Sequence, residues 1–183
     1  MFKTPTAFLA LAAAMLCSAA HADVTCQPLV MSSSLSTQLL SGNDDDTSWE
    51  YGLLGDGTSN LGFGGPAPDL LDLEIYYDGS PGTFDLSAGD DANYATCAHC
   101  VLLYRDIGLD TGPAKTFFQT AGALTYADTA AESQTELDVQ ISGLRLVEVT
   151  IDPDTFVSTP VPDGECYVQA EDKIFVNGFD SAP

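Results

Sequence analysis

The sequence predicts an all-β fold, an antiparallel β-sandwich of jelly-roll type with two disulfides. Three observations predict it. Apolar residues recur with a period of two in short runs, and breaks rich in Gly, Asn, Asp and Pro separate those runs at strand-and-turn spacing. No stretch beyond residue 22 keeps an apolar 3.6-residue period for three turns. The spacing of the breaks is that of sandwiches and jelly rolls.

The chain opens MFKTPTAFLALAAAMLCSAAHADVTC. Lys3, an apolar run from Ala7 to Cys17 and the ending Ala20-His21-Ala22 have the form of a secretory signal, and the run is too short to span a bilayer. Residues 1–22 are therefore read as a signal peptide cleaved before Asp23. Lipidation of Cys17 would need a small residue just before it, and Met15-Leu16 stand there instead. The mature chain is expected to be one β domain, residues 23–170, followed by a short tail, 171–183.

Within that domain Leu71, Leu73, Ile75 and Tyr77 alternate with Asp72, Glu74, Tyr76 and Asp78, which predicts a strand with one apolar and one largely acidic face. Val101 to Tyr104 starts a second strand and Thr116 to Gln119 forms a third. Ala123 to Ala127, Leu137 to Ile141 and Leu144 to Ile151 continue the series. Gly143 absorbs a bulge or turn where the alternation changes face. Breaks are read at Ser41 to Thr47, Gly55 to Pro68, Asp78 to Gly82, Ser87 to Asn93, Asp110 to Pro113 and Asp152 to Asp154. The glycines of Gly52 to Asp69 lack the strand–turn–helix context and the Lys-Ser/Thr of a phosphate cradle, so a surface loop is expected.

Composition limits the partners. Without the signal the chain keeps four basic side chains, Arg105, Lys115, Arg145 and Lys173, against 27 acidic ones, a net charge of −23 on 161 residues. That field repels phosphate backbones and anionic headgroups, which excludes nucleic acid and membrane insertion from the expected partners and leaves a glycan, a protein or a cation. At 45% apolar residues, a chain of this length can remove about 70% of its unfolded surface from water.

The densest cluster of chemistry is Cys97-Ala98-His99-Cys100. A redox dithiol would need Cys97 at a helix N-terminus, but the pair runs straight into the apolar strand Val101 to Tyr104. Haem attachment would need histidine directly after the second cysteine, where Val101 stands. Zinc held by Cys97, His99, Cys100 and a distant Cys26 or Cys166 would crowd three ligands into four positions. Four mature cysteines, Cys26, Cys97, Cys100 and Cys166, instead make two disulfides in an oxidising compartment, with three connectivities open. Cys97–Cys100 with Cys26–Cys166 is preferred, the first pinning a turn before a strand and the second tying the ends of the domain. His99 then reads as an exposed turn residue.

Two other chemistries were weighed. Asp72/Glu74 and Glu136/Asp138 each put two acids on one strand face, about 7 Å apart at the α-carbons, which a glycoside hydrolase could use and which a solvated acidic face also produces. Asp44, Asp45 and Asp46, and Asp90 and Asp91, concentrate hard oxygen donors in loops suited to calcium, without EF-hand spacing. No other cofactor is implied. His99 is the only mature histidine and no G-x-S-x-G elbow is present, so no catalytic residue is assigned.

From Gly82 the run GTFDLSAGDDANYATCAHCVLLYRD, continued by FFQTAGALTY and LVEVTIDPDTFVSTPVPDGEC, resembles a pattern in uncharacterised exported β-rich proteins of Gram-negative bacteria. The ending KIFVNGFDSAP is similar to a short Ile-Phe-x-x-Gly-Phe-Asp/Glu tail found on otherwise unrelated exported proteins of such bacteria. The resemblance implies a location, in the periplasm, at the cell surface or outside the cell, and a cysteine framework. It implies no activity. The function expected is a non-catalytic structural or binding module, with a carbohydrate-active hydrolase and a calcium-dependent adhesion module as alternatives.

Overall fold

The computed structural model describes residues 25–29, 36–42, 48–54, 67–76, 82–108, 110–126, 139–170 and 174–176. Its strands are β1 (Gln27–Leu29), β2 (Ser36–Gly42), β3 (Ser48–Leu54), β4 (Leu70–Tyr76), β5 (Gly82–Asp85), β6 (His99–Gly108), β7 (Gly112–Tyr126), β8 (Val139–Ile151), β9 (Ser158–Pro160), β10 (Cys166–Gln169) and β11 (Ile174–Val176). One 3-10 turn, Gly89–Ala92, interrupts them. The fold is all-β. Every pairing is antiparallel except β1 with β10.

A single hydrogen-bonded sheet runs β1-β10-β8-β7-β6-β4-β3-β2, with β5 on β7 and with β9 and β11 on β8. Two long strands make this continuity. β7 pairs with β6 through Pro113 to Phe118 and with β5 through Ala123 to Tyr126. One edge of β8 lies along β7, while β11, β10 and β9 share the other edge in series.

Side-chain parity explains how one apolar face survives such length. In β8 the core-facing residues are Val139 and Ile141, then Leu144 and Leu146, a phase change centred on Gly143. Gly143 has φ +63°, a backbone that other residues rarely adopt. Opposite it, β7 changes phase between Phe117 and Leu124, where the register shifts at Gln119/Ala121 and Ala121/Ala123. There Gly122 has φ +131°, and a Cβ would meet the Leu144 Cα at 3.1 Å. An inserted residue flips every later side chain to the other face, so paired bulges keep both strands pointing inward. The predicted strands 116–119 and 123–127 therefore fall in one strand as far as Tyr126, and 137–141 and 144–151 in one strand from Val139 on; residues 127, 137 and 138 lie outside the described residues.

The inner core joins Leu71, Leu73 and Ile75 of β4, Val101 and Leu103 of β6, Phe117, Leu124 and Tyr126 of β7 and the four β8 residues, with Leu29 and Tyr167 closing the β1–β10 end. Each fully buried aliphatic here contributes about 1.5–3 kcal/mol by leaving water. The opposite face is buried as well. Cys97, Cys100, Leu102, Phe118 and Val149 form a second cluster with Tyr76, Tyr94, Tyr104, Val147 and Ile151 packed on it. This corrects the expected solvated face of β4, since Asp72 and Glu74 are only 1% and 7% exposed. The segment between β5 and β6 brings Tyr94 and Cys97 onto that face, which period-two alternation within β4 does not register.

Strands β2 and β3 were not predicted. Ile174–Val176, within the predicted tail, pairs with Ile141 to Val139 of β8 and so belongs to the sheet. The predicted signal segment, Asp44, Asp45 and Asp46, and the pair Glu136/Asp138 lie outside the described residues. Among the described residues no helix is long and apolar enough to cross a membrane.

Candidate functional site

The chemistry-bearing side chains gather where the β5–β6 connection lies against the sheet. Asp85 starts the connection: its Oδ1 accepts from the amide and hydroxyl of Ser87. The 3-10 turn follows. Asn93 then holds the next turn, its carbonyl accepting from the amides of Thr96 and Cys97. Its side chain donates to the Ser158 carbonyl and accepts from the Ser158 amide, so β9 and this segment are fastened together. Asn and Asp favour such turns because their short carbonyl arms replace backbone acceptors.

Asp91 is the hub. Its Oδ1 accepts from the amides of Ala98 at 2.8 Å and His99 at 2.9 Å, and its Oδ2 faces Nδ1 of His99 at 3.0 Å. Burial pushes the Asp91 carboxyl up, but the hydrogen bonds from the His99 ring and from the two amides outweigh it and hold the carboxyl below its ordinary range. An ionised Asp91 places the ring proton on Nδ1 and leaves Nε2 facing the Tyr126 hydroxyl at 3.5 Å. Phe84 stacks on the imidazole with ring centroids 3.7 Å apart. His99 is thus a clamped, part-buried residue with its side chain 11% exposed, not the exposed turn residue expected.

Beneath it lies Gln119, fully buried at the β7 bulge. Its amide donates to the carbonyls of Asp91 and His99, both at 2.8 Å, and its carbonyl accepts from the Val101 amide at 2.6 Å. The bulge turns this polar side chain toward backbone groups that no strand pairs. Glu74 performs a similar task nearby, accepting from the hydroxyls of Tyr76 at 2.7 Å and Tyr94 at 3.1 Å. Burial and then Glu74 push both hydroxyls well above the ordinary tyrosine range. Neither role was visible in the sequence, where Gln119 ended an apolar run and Glu74 was paired with Asp72 as two acids on one strand face.

The cysteines pair as Cys26–Cys166 and Cys97–Cys100. Cys97 and Cys100 are 6% and 0% exposed, and a strand follows them, so the dipole that lowers a catalytic thiol is missing and the sulfurs are covered. Cys26–Cys166 joins the chain just before β1 to the start of β10. Two disulfides fit an oxidising compartment.

Of the predicted calcium ligands, Asp90 is exposed in the 3-10 turn while Asp91 is turned inward to His99. No group of three His, Cys, Asp or Glu side chains able to hold a metal occurs among the described residues. A separate ion-pair network links Arg105 and Lys115 to Glu165, with Glu148 also on Lys115. Hydrogen bonds from Lys115 and then Arg105 hold the Glu165 carboxyl low. No known protein family, curated protein or solved structure matches this chain.

Proposed function

We propose that the chain is an exported, non-catalytic module that works by binding a glycan or protein outside the cytoplasm. One observation carries this reading: Glu74, Asp91, His99 and Gln119, the side chains best suited to chemistry, are hydrogen-bonded to one another's segments and covered. A general acid or base must reach a proton on a substrate. These groups instead reach the protein's own tyrosines and amides, and their work is to fix the β5–β6 connection. The signal-like N-terminus, the two disulfides and the resemblance to exported Gram-negative proteins support the location.

Screening the mature, oxidised protein against a glycan array, a peptide library and a panel of nitrophenyl glycosides tests the reading. Saturable binding to a glycan or a peptide, with no turnover, is expected. Glycoside turnover that disappears in Glu74→Gln would overturn it and restore the hydrolase.

A further inference from the structure

The β8–β9 turn holds an aromatic side chain in a position that its own packing does not justify. Phe156 has φ +58°, a left-handed backbone that is unfavourable for a bulky residue. Its ring is nevertheless 56% exposed, and Val157 beside it is 41% exposed. Burial therefore offsets little of the strain.

The turn that imposes this backbone is over-determined. Oδ1 of Asp152 accepts from the amides of Asp154 and Thr155 and from the Thr155 hydroxyl, at 2.8 to 3.0 Å. The Phe156 amide donates to the Asp152 carbonyl, and the Asp152 amide to the Val157 carbonyl. The Phe156 and Tyr94 rings make a T-shaped contact, with centroids 6.4 Å apart. Tyr94 is itself held by Glu74 and, through its amide, by the Ser158 hydroxyl. The ring is thus presented rigidly. Beside it lies a shallow groove of about 410 Å³ lined by Thr150, Ile151, Asp152, Thr155, Val157 and Thr159.

Charge selects the partner. From Leu146 to Asp172 the sequence has no Lys, Arg or His, and the exposed Asp152 and Asp154 stand in the same turn as Phe156. The Thr155 amide and hydroxyl and the Asp154 amide hold the Asp152 carboxyl low, so it stays charged into acid solution. An aromatic face beside two carboxylates attracts a cation by the ring quadrupole and by ion pairing together. The net charge of the chain steers a cation to it, whereas a neutral sugar gains nothing from that field.

We propose that the turn Asp152 to Val157 is the docking surface of this module, and that its occupant is a cationic, extended polypeptide segment with a lysine or arginine placed over Phe156. The proposal rests on the binding role argued above. It is tested with the mature, oxidised protein in about 150 mM salt, near physiological ionic strength, by calorimetry and amide-shift mapping. The probes are a capped Gly-Lys-Gly-Arg-Gly-Lys-Gly-Arg peptide, its all-glutamate counterpart and cellohexaose. The cationic peptide alone should bind, with shifts centred on Thr150 to Thr159. Phe156→Asn, which suits the left-handed backbone, should weaken it about tenfold, while Asp85→Asn, which removes the same charge as Asp154→Asn from the exposed end of β5, level with Ser142 at the far part of β8, should weaken it less than twofold.

Equal losses in Asp154→Asn and Asp85→Asn, with none in Phe156→Asn, would reduce the effect to diffuse attraction and overturn the site. Binding of cellohexaose but not of the peptide would replace the occupant with a glycan. Shifts centred elsewhere would remove this surface and leave the binding role standing, whereas glycoside turnover would remove the role itself.

Discussion

The apolar core of the sheet and the polar groups buried with it are held by different means. The inner face is closed by aliphatic and aromatic side chains, with Leu71, Leu73, Val101, Leu103 and Phe117 all at 0% exposure. The buried polar groups are Asp72 and Glu74 on the opposite face of β4, and Asp91 and Gln119 where the β5–β6 connection meets the sheet. An apolar face needs only matching volume, and its contributions add up in small, replaceable steps. A polar layer must also satisfy each donor and acceptor, so a few atoms of Gln119 and Asp91 decide whether it forms. The polar network is therefore the more specific of the two and the easier to break at a single atom.

The two disulfides give the largest expected contrast, because one belongs to each region. Cys26–Cys166 spans a sequence separation of 140 at the end closed by Leu29 and Tyr167, and Cys97–Cys100 spans three where the β5–β6 connection enters β6. On the chain-entropy model, replacing Cys26 and Cys166 by serine should cost about 5 kcal/mol in urea unfolding. Replacing Cys97 and Cys100 should cost much less, most of it from putting hydroxyls into a covered cluster. Equal costs would show that the short crosslink, not the polar network, holds the β5–β6 connection.

A pair of single substitutions sharpens the comparison at intermediate size. Phe117→Ala opens a cavity in the inner core and should cost about 3–5 kcal/mol. Gln119→Met keeps the volume but leaves the Val101 amide and two carbonyls without their partner, and should cost about 2–3 kcal/mol. Amide exchange separates the two. Phe117→Ala should loosen the whole sheet, whereas Gln119→Met should first release residues 91–101. Uniform loosening by both would erase the distinction between the apolar core and the polar network.

The smallest effect is in acid. The folded Asp91 carboxyl is held below its unfolded value, so its contribution is fully present above that value and is lost as pH falls through the folded one, below about pH 4. Asp91→Asn should cost about 1–2 kcal/mol at pH 7, because a neutral amide accepts the Ala98 and His99 amides less strongly. It should also flatten the acid limb of the stability curve measured from pH 5 to pH 2. An unchanged acid limb would assign that dependence to Glu165 and Asp152, whose carboxyls are also held low.

By itself the sequence determined the all-β class, the inward parity of Leu71, Leu73 and Ile75, and the phase change at Gly143, because each is written in neighbouring residues along one strand. Its four cysteines beyond residue 22 allowed three pairings, and the topology that lays β1 beside β10 brings Cys26 to Cys166. Other features depended on what a distant segment does. The acids of β4 are buried because the β5–β6 connection crosses them. His99 is clamped because Asp91 folds back eight residues to meet it, and Gln119 became structural only where a bulge turned it toward Val101, 18 residues away. Alternation reports which side of a strand a residue takes. What covers that side is decided by tertiary packing, since a buried polar group becomes tolerable only when chain from elsewhere supplies its hydrogen-bond partners.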